Sequence, residues 1–407
     1  MLEWNCEKNT ERKVIRLLMN YTVKNYGVFK NKAILSMIPE DISDWYNPNE
    51  EDYEVNFKNG IKVRNSALII GDNGSGKTTL IRSLEYFQQL MLSNKPLKLN
   101  KKTVNLDNRH LYPDTTQEFE LEVVVLVKEK PCIYRFGLEL DGNGIVKESL
   151  GCRISMDGYE DKLYLFEKEI GLYLNPNYFL NTKCVSEVVR KFPSGTILNR
   201  VAMFCPEKIV PFIKWVENSL VIKYRPTPNM LATQEANAQT LSILRSKDFL
   251  DLFQLVDNSI CRVDVDEKEP YKATNIIREG ENLEEYSISL AEESDGVREF
   301  FYWSEQLMGI LKQDKTLVID DLDCMMDSVL TSRLIAYINY SKHRGQFIFS
   351  THDPVQLNFG DFYPEQMYIV SKINGFRSSE LYTVSDMDLN YNNVENLTES
   401  YLRGFLR

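Results

Sequence analysis

An α/β fold with a mixed sheet is what this sequence predicts, and three observations carry the expectation. Residues 66–70, Ser-Ala-Leu-Ile-Ile, form a short apolar run of the kind a buried strand shows. The next residues, Gly71-Asp72-Asn73-Gly74-Ser75-Gly76-Lys77-Thr78, match a complete phosphate-binding loop, and 79–87 then place apolar residues at helical spacing. A second apolar run, Thr316-Leu317-Val318-Ile319, ends in two acids, Asp320 and Asp321.

Each residue type in the loop has a physical task. Gly71, Gly74 and Gly76 are expected to turn the backbone through positive φ and to approach a phosphate with no Cβ in the way. The N–H groups of Asn73, Gly74, Ser75, Gly76, Thr78 and Thr79 would then point at the anion, helped by the positive end of the following helix. Lys77 would reach the β- and γ-phosphates of a nucleoside triphosphate, and the Thr78 hydroxyl would ligate Mg²⁺. An ordinary glycine turn explains the glycines but not the strand before them or the Lys-Thr-helix after them.

Composition bounds the rest. At 407 residues the chain is too long for one small core and suits one large domain with an inserted lobe, or two lobes. Hydrophobic residues at 43% and charged residues at 26% are ordinary globular values. The 59 acidic against 48 basic residues give −11, which argues against coating nucleic acid unaided and leaves open a basic groove on a dimer. The cysteines at 6, 132, 152, 184, 205, 261 and 324 include no Cys-x-x-Cys pair and suit reduced thiols of a cytoplasmic protein. The first residues are polar, with no secretory core, and no run approaches the roughly 18 apolar residues a membrane span needs.

Along the chain, residues 14–23 and 33–37 are expected as strands around Asn25-Tyr26-Gly27, and 39–60 as an acidic surface excursion. Residues 93–116 read as a polar linker. Residues 119–127 and 132–140 suggest a hairpin, and Asp141-Gly142-Asn143-Gly144 a turn before a strand at 145–150. That cluster lacks the rest of a calcium loop, including its closing Glu. Between 180 and 285, amphipathic helical patterns appear around 187–192, 211–216 and 241–256, which suggests an inserted helical lobe without a long coiled coil.

The chemistry-bearing residues lie mostly in the last third. Asp320 would hold Mg²⁺ through water, and Asp321 sits where a base or water-orienting group is needed. The run Phe347-Ile348-Phe349-Ser350-Thr351 ends at His352, a candidate contact for a γ-phosphate. Upstream, Glu293-Ser294-Asp295-Gly296-Val297-Arg298 opens a helical pattern at 300–311, which makes an anion-binding helix start or simply a capped helix.

Phosphate loop, Ser-x-Gly helix start, strand with two acids and strand with Thr-His, in that order, resemble the ATP-binding-cassette (ABC) ATPases. The likeness is to their soluble branch, which includes the chromosome-structuring SMC and DNA-repair ATPases. Closer still are the OLD-like, abortive-infection, Septu and PARIS-type ATPases of bacterial anti-phage defence. Residues 17–37 look like that group's first hairpin, Tyr134-Arg135-Phe136-Gly137 and Val146-Lys147-Glu148-Ser149-Leu150 like its arm strands, and 381–386 and 401–404 like its C-terminal strand and tail.

The resemblance implies a P-loop NTPase fold, an ABC-ATPase head with a β arm subdomain and an inserted helical lobe. It divides the chain into 1–180, with phosphate loop and arm; 181–285, the helical lobe; and 286–407, with signature, acidic strand and switch histidine. It implies that Ser294 and Gly296 contact the γ-phosphate bound by an opposite subunit, that Asp323 lies in the D-loop, and that His352 is the switch histidine. Gln117 is the nearest candidate for the Q-loop glutamine, or else an exposed residue before a strand.

Two departures stand out. The family's acid pair is Asp-Glu, whereas Asp321 is shorter by one methylene, which implies slow hydrolysis. The signature Glu-Ser-Asp-Gly-Val differs from the Leu-Ser-Gly-Gly-Gln of transporters.

The implied function is an ATPase that dimerises around ATP and controls a separately encoded effector, a nuclease or toxin, in anti-phage defence. A DNA repair or recombination ATPase acting directly on DNA is the alternative, disfavoured by the acidic charge and the missing coiled coil. A transporter subunit fits less well. Between His352 and Arg407 there is little room for a metal nuclease domain, and Asp386 and Asp388 lack an accompanying histidine or glutamate cluster, so effector activity is expected in another chain.

Overall fold

The computed structural model describes residues 16–40, 54–57, 59–111, 115–128, 130–224, 237–280, 284–311, 313, 315–324, 326–340, 343, 345–358, 361–373, 377–387, 396–404 and 406. Cys6, Asp388 and most of the 39–60 excursion lie outside these.

A six-stranded sheet forms the centre. Its order is Leu220–Lys223, Thr316–Ile319, Gln346–Thr351, Ser66–Ile70, Met367–Lys372 and Ser379–Thr383. The first five strands run parallel and the last is antiparallel, so the sheet is mixed as expected. Alternation along each strand assigns side chains to two cores, because successive residues face opposite sides. Ala67, Ile69, Val318, Ile348, Tyr368 and Val370 enter one core, whereas Leu68, Ile70, Leu317, Ile319, Phe347, Phe349, Met367 and Ile369 enter the other. Apolar residues on both faces explain why these strands read as continuous hydrophobic runs.

The first core lies between the central sheet and a seven-stranded antiparallel sheet, with the helix Lys77–Leu92 sandwiched in it. That second sheet runs in the order Gly171–Leu174, Asp161–Glu167, Gly144–Arg153, Lys130–Asp141, Gln117–Val127, Arg16–Lys24, Ala33–Ser36. Phe87 of the helix stacks on Phe119, 5.1 Å between centroids, and Phe136 packs beyond it. Gln346 ties the two sheets together. Its amide donates to the Leu18 and Arg64 carbonyls at 2.9 and 3.0 Å and accepts from Leu18 N and Thr316 Oγ1 at 3.0 and 2.9 Å. A buried amide so fully paired fixes their relative position.

The expected helical lobe at 181–285 is corrected. Its helices Thr182–Lys191, Ile197–Val201 and Pro206–Asn218 pack into the first core, and Leu220–Lys223 is the edge strand of the central sheet. Its helices Ala238–Leu244 and Lys247–Phe253 join the second core instead. Ile260–Asp264, Asn275–Glu279 and Glu285–Ser289 form a three-stranded antiparallel sheet. Apolar residues on amphipathic faces gave no sign of which core would take them, so one span of sequence serves two. Among the described residues, no helix is long and apolar enough to cross a membrane.

Candidate phosphate-binding site

The phosphate loop joins the central strand Ser66–Ile70 to the helix Lys77–Leu92, as predicted. Gly76 caps that helix with φ +127°, and its first N–H groups have neither a side-chain cap nor an acid in the first turn to offset their positive end. Gly74 also has positive φ, +72°. Gly71 does not, which corrects one expectation. Its requirement is space: a Cβ there would lie 2.5 Å from Ser75 Oγ and 2.6 Å from the Val370 carbonyl oxygen. The Lys77 ammonium is buried and donates to the Gly71 carbonyl at 2.8 Å, folding over the loop it would leave to meet a phosphate.

The turn at 25–29 backs this loop. Gly27, at φ +55°, leaves room for Thr79: a Cβ would stand 2.4 Å from Thr79 Cγ2. Val28 closes on Gly76, where a Cβ would stand 2.5 Å from Val28 Cγ2. Gln117 belongs to this support. It is fully buried, and its Nε2 donates to the Asn25 carbonyl at 2.9 Å, so it holds the start of this turn rather than lying exposed. Beside the loop, a cavity of about 460 Å³ is lined by Asp72, Asn73, Ser75, Lys372 and Tyr401, among others. Tyr401 donates to Asp72 Oδ1 at 3.0 Å.

The acidic strand and the histidine strand are direct neighbours, with Ile319 opposite Phe349. Asp320 is buried, and its Oδ1 accepts from the Ser350 hydroxyl at 2.7 Å. The same hydroxyl oxygen accepts from Asp321 N–H at 2.8 Å. Asp321 has φ +52°, a left-handed backbone that Asp tolerates better than most residues. Burial, then the Asp320 carboxylate, pushes its carboxyl above the usual range, against the pull of Lys77, while Asp323 adds to the push and His352 opposes it. Lys77 and the acid pair therefore share one electrostatic neighbourhood.

Asp323 turns towards the end of the histidine strand. Its Oδ2 lies 2.8 Å from His352 Nδ1 and accepts from His352 N–H at 3.3 Å, so it engages the histidine of its own chain. Ser294, Asp295 and Gly296 are exposed, and a Cβ on Gly296 would meet nothing within 4 Å. Ser294 Oγ accepts from Val297 N–H at 3.4 Å and starts the helix Asp295–Leu311. Glu293 is held by Arg278, which also meets Asp257 at 2.9 Å. Among the described residues, no hydrogen bond or ion pair joins Ser294 or Gly296 to the phosphate loop.

Sequence reasoning missed Ser350, whose only signal was a hydroxyl among apolar neighbours at the strand's end. It also missed Tyr224, which follows the edge strand and donates to Glu85 at 2.8 Å; burial, then Glu85 and Asp320, oppose its ionisation.

Mg²⁺ fits the oxygens present. The half-buried Thr78 hydroxyl has no hydrogen-bond partner among the described residues, and Asp320 is a buried carboxylate with one oxygen committed to Ser350. Hard oxygen donors and room for retained waters suit this ion.

No family model matches the chain, and no curated protein matches it. Solved structures similar in fold include an SMC head domain from Thermotoga maritima, at 13% identity and TM-score 0.47, covering 90% of this chain and 98% of that one. An SmcHead bound to the C-winged helix domain of ScpA follows at 11% and 0.46, covering 90% and 97%. An Smc head domain with an extended coiled coil, bound to the C-terminal domain of ScpA and derived from Pyrococcus furiosus, gives 12% and 0.43, covering 97% and 100%. Likeness at this level assigns no role to any residue.

Proposed function

We propose that this chain is an ABC-type ATPase that binds and hydrolyses ATP with Mg²⁺, and that two copies close around the nucleotide. The observation that carries the reading is that the acidic, histidine and phosphate-loop strands lie side by side and parallel, which brings Asp320, Asp321, His352 and the uncapped, glycine-lined helix start to one end of the sheet. Loop N–H groups and Lys77 bind the phosphates. Thr78 and Asp320 would hold Mg²⁺, which neutralises phosphate charge when bound. Asp321 orients the attacking water and His352 meets the γ-phosphate. The short reach of Asp321 makes hydrolysis slow.

The exposure of Ser294, Asp295 and Gly296 supports a site completed by a second copy, in which these residues close over the partner's nucleotide. Isologous symmetry is the simplest arrangement. We further propose that nucleotide occupancy sets the geometry of a separately encoded effector, a nuclease or toxin, in cytoplasmic anti-phage defence. That part rests on the motif resemblance.

Mass in solution, with and without ATP, tests the composite site on the wild type and Ser294→Arg. The wild type should dimerise with ATP, while the variant binds ATP and stays monomeric. A variant that dimerises like the wild type overturns it. For the biological role, capture with the product of the neighbouring gene in one nucleotide state supports effector control. A solitary protein stimulated by DNA ends instead makes it a repair ATPase.

A further inference from the structure

We propose that Asp321, Asp323 and His352 form a binding site for a divalent transition-metal ion, distinct from the Mg²⁺ position at Thr78 and Asp320. One ligand atom from each residue lies within 4.8 Å of the other two. The tightest edge is already at ligand spacing: His352 Nδ1 and Asp323 Oδ2 are 2.8 Å apart, and two ligands about 2.1 Å from one octahedral ion stand about 3 Å from each other. The Asp321 carboxylate supplies the third corner of the triangle.

A second observation points to a ligand. The Asp323 side chain is only 7% exposed, yet its Oδ1 is buried with no hydrogen-bond partner among the described residues. A carboxylate in that state needs a cation or donor, and the histidine satisfies only the other oxygen. The site is open on one side, because the His352 side chain is 44% exposed, which leaves positions for water.

The donor set selects the ion. One imidazole nitrogen with two carboxylate oxygens suits Mn²⁺, Co²⁺ or Zn²⁺ better than Mg²⁺, which prefers oxygen alone. Asp320 lies outside the set: the side chains that offer mutually close ligand atoms are Asp321, Asp323 and His352.

Co²⁺ is the probe. Chelator-treated protein, titrated without nucleotide, should take up one Co²⁺ per chain with weak visible bands of nitrogen and oxygen ligation and no thiolate charge-transfer band. Asp323→Asn and His352→Gln should each weaken binding at least tenfold, with melting curves confirming that both are folded. Excess Mg²⁺ should compete poorly. Gly76→Ala, which changes no charge and should weaken nucleotide binding, should bind Co²⁺ like the wild type, so the site stands or falls apart from the ATPase reading. No saturable Co²⁺ uptake, thiolate bands, or affinity unchanged in both site variants overturns the proposal.

Discussion

The Ser350 hydroxyl bridges the two acids of the neighbouring strand: it donates to Asp320 Oδ1 at 2.7 Å and accepts from Asp321 N–H at 2.8 Å. One small side chain thus sets both the rotamer of the acid read as the Mg²⁺ ligand and the backbone of the acid read as water-orienting. Ser350→Ala removes both bonds and leaves a buried carboxylate oxygen and N–H without partners. Unfolding stability should fall by about 1–3 kcal/mol. ATP turnover should fall about tenfold or more, because both acids lose their positioning. Denaturant melts and steady-state phosphate release check the two numbers, and wild-type turnover in a folded variant would refute the bridging role.

Asp321 should control how long ATP survives. Asp321→Asn keeps a residue that tolerates φ +52° and removes the carboxylate, so the fold should hold while hydrolysis drops about 100-fold or more. Asp321→Glu adds the missing methylene and should speed hydrolysis if reach limits it. The pH profile gives an independent sign. Burial and the acids at 320 and 323 raise this carboxyl's pKa, so its ionised form is lost as pH falls through a value above the ordinary Asp range. The acid limb of kcat should therefore lie above that of a free carboxylate, and a profile flat through that region would exclude Asp321 as the base.

The loop glycines should differ in why they resist substitution. Gly71→Ala has no positive φ to strain, but its Cβ would press on the Val370 carbonyl oxygen at 2.6 Å, a backbone atom that cannot rotate away. Gly76→Ala meets the softer Val28 side chain at 2.5 Å and also demands φ +127° of a residue with a Cβ. Both should weaken nucleotide binding at least tenfold. Added Val28→Ala should recover part of the affinity for Gly76→Ala alone, measured by fluorescent-nucleotide titration.

What the sequence made legible was local. Ser66–Ile70, Thr316–Ile319 and Gln346–Thr351 are apolar runs with polar ends, and the chemistry sits at those ends, so strand and site residue were read together. Met367–Lys372, which flanks the phosphate-loop strand, went unread because Tyr368 and Ser371 break its pattern. Leu220–Lys223 is four residues long and follows a helix directly, too short for periodicity to separate it. The partners of Asp323 and Gln117 were hidden for another reason. That Asp323 meets His352 depends on two strand ends coming together, which spacing in the chain does not encode. Gln117, read either as the Q-loop glutamine or as an exposed residue before a strand, is buried, and its bond to the Asn25 carbonyl joins positions far apart in the chain.

Asp361 carries the clearest pH prediction. It is buried, and desolvation lifts its carboxyl to about 6, with a Ser332 hydrogen bond pulling the other way. A carboxyl whose folded pKa is raised above its unfolded value of 3.8 contributes stability that is complete below 3.8 and is lost as pH rises through about 6. Above that pH the wild type holds a buried charge without a cationic partner in the described ion pairs. Asp361→Asn stays neutral throughout and can still bond to Ser332. Its melting temperature should therefore exceed the wild type's at pH 7.5, and the gap should shrink steadily towards pH 4. Thermal melts across that range decide it: a gap independent of pH would mean that the gain, if any, comes from packing rather than from removal of the charge.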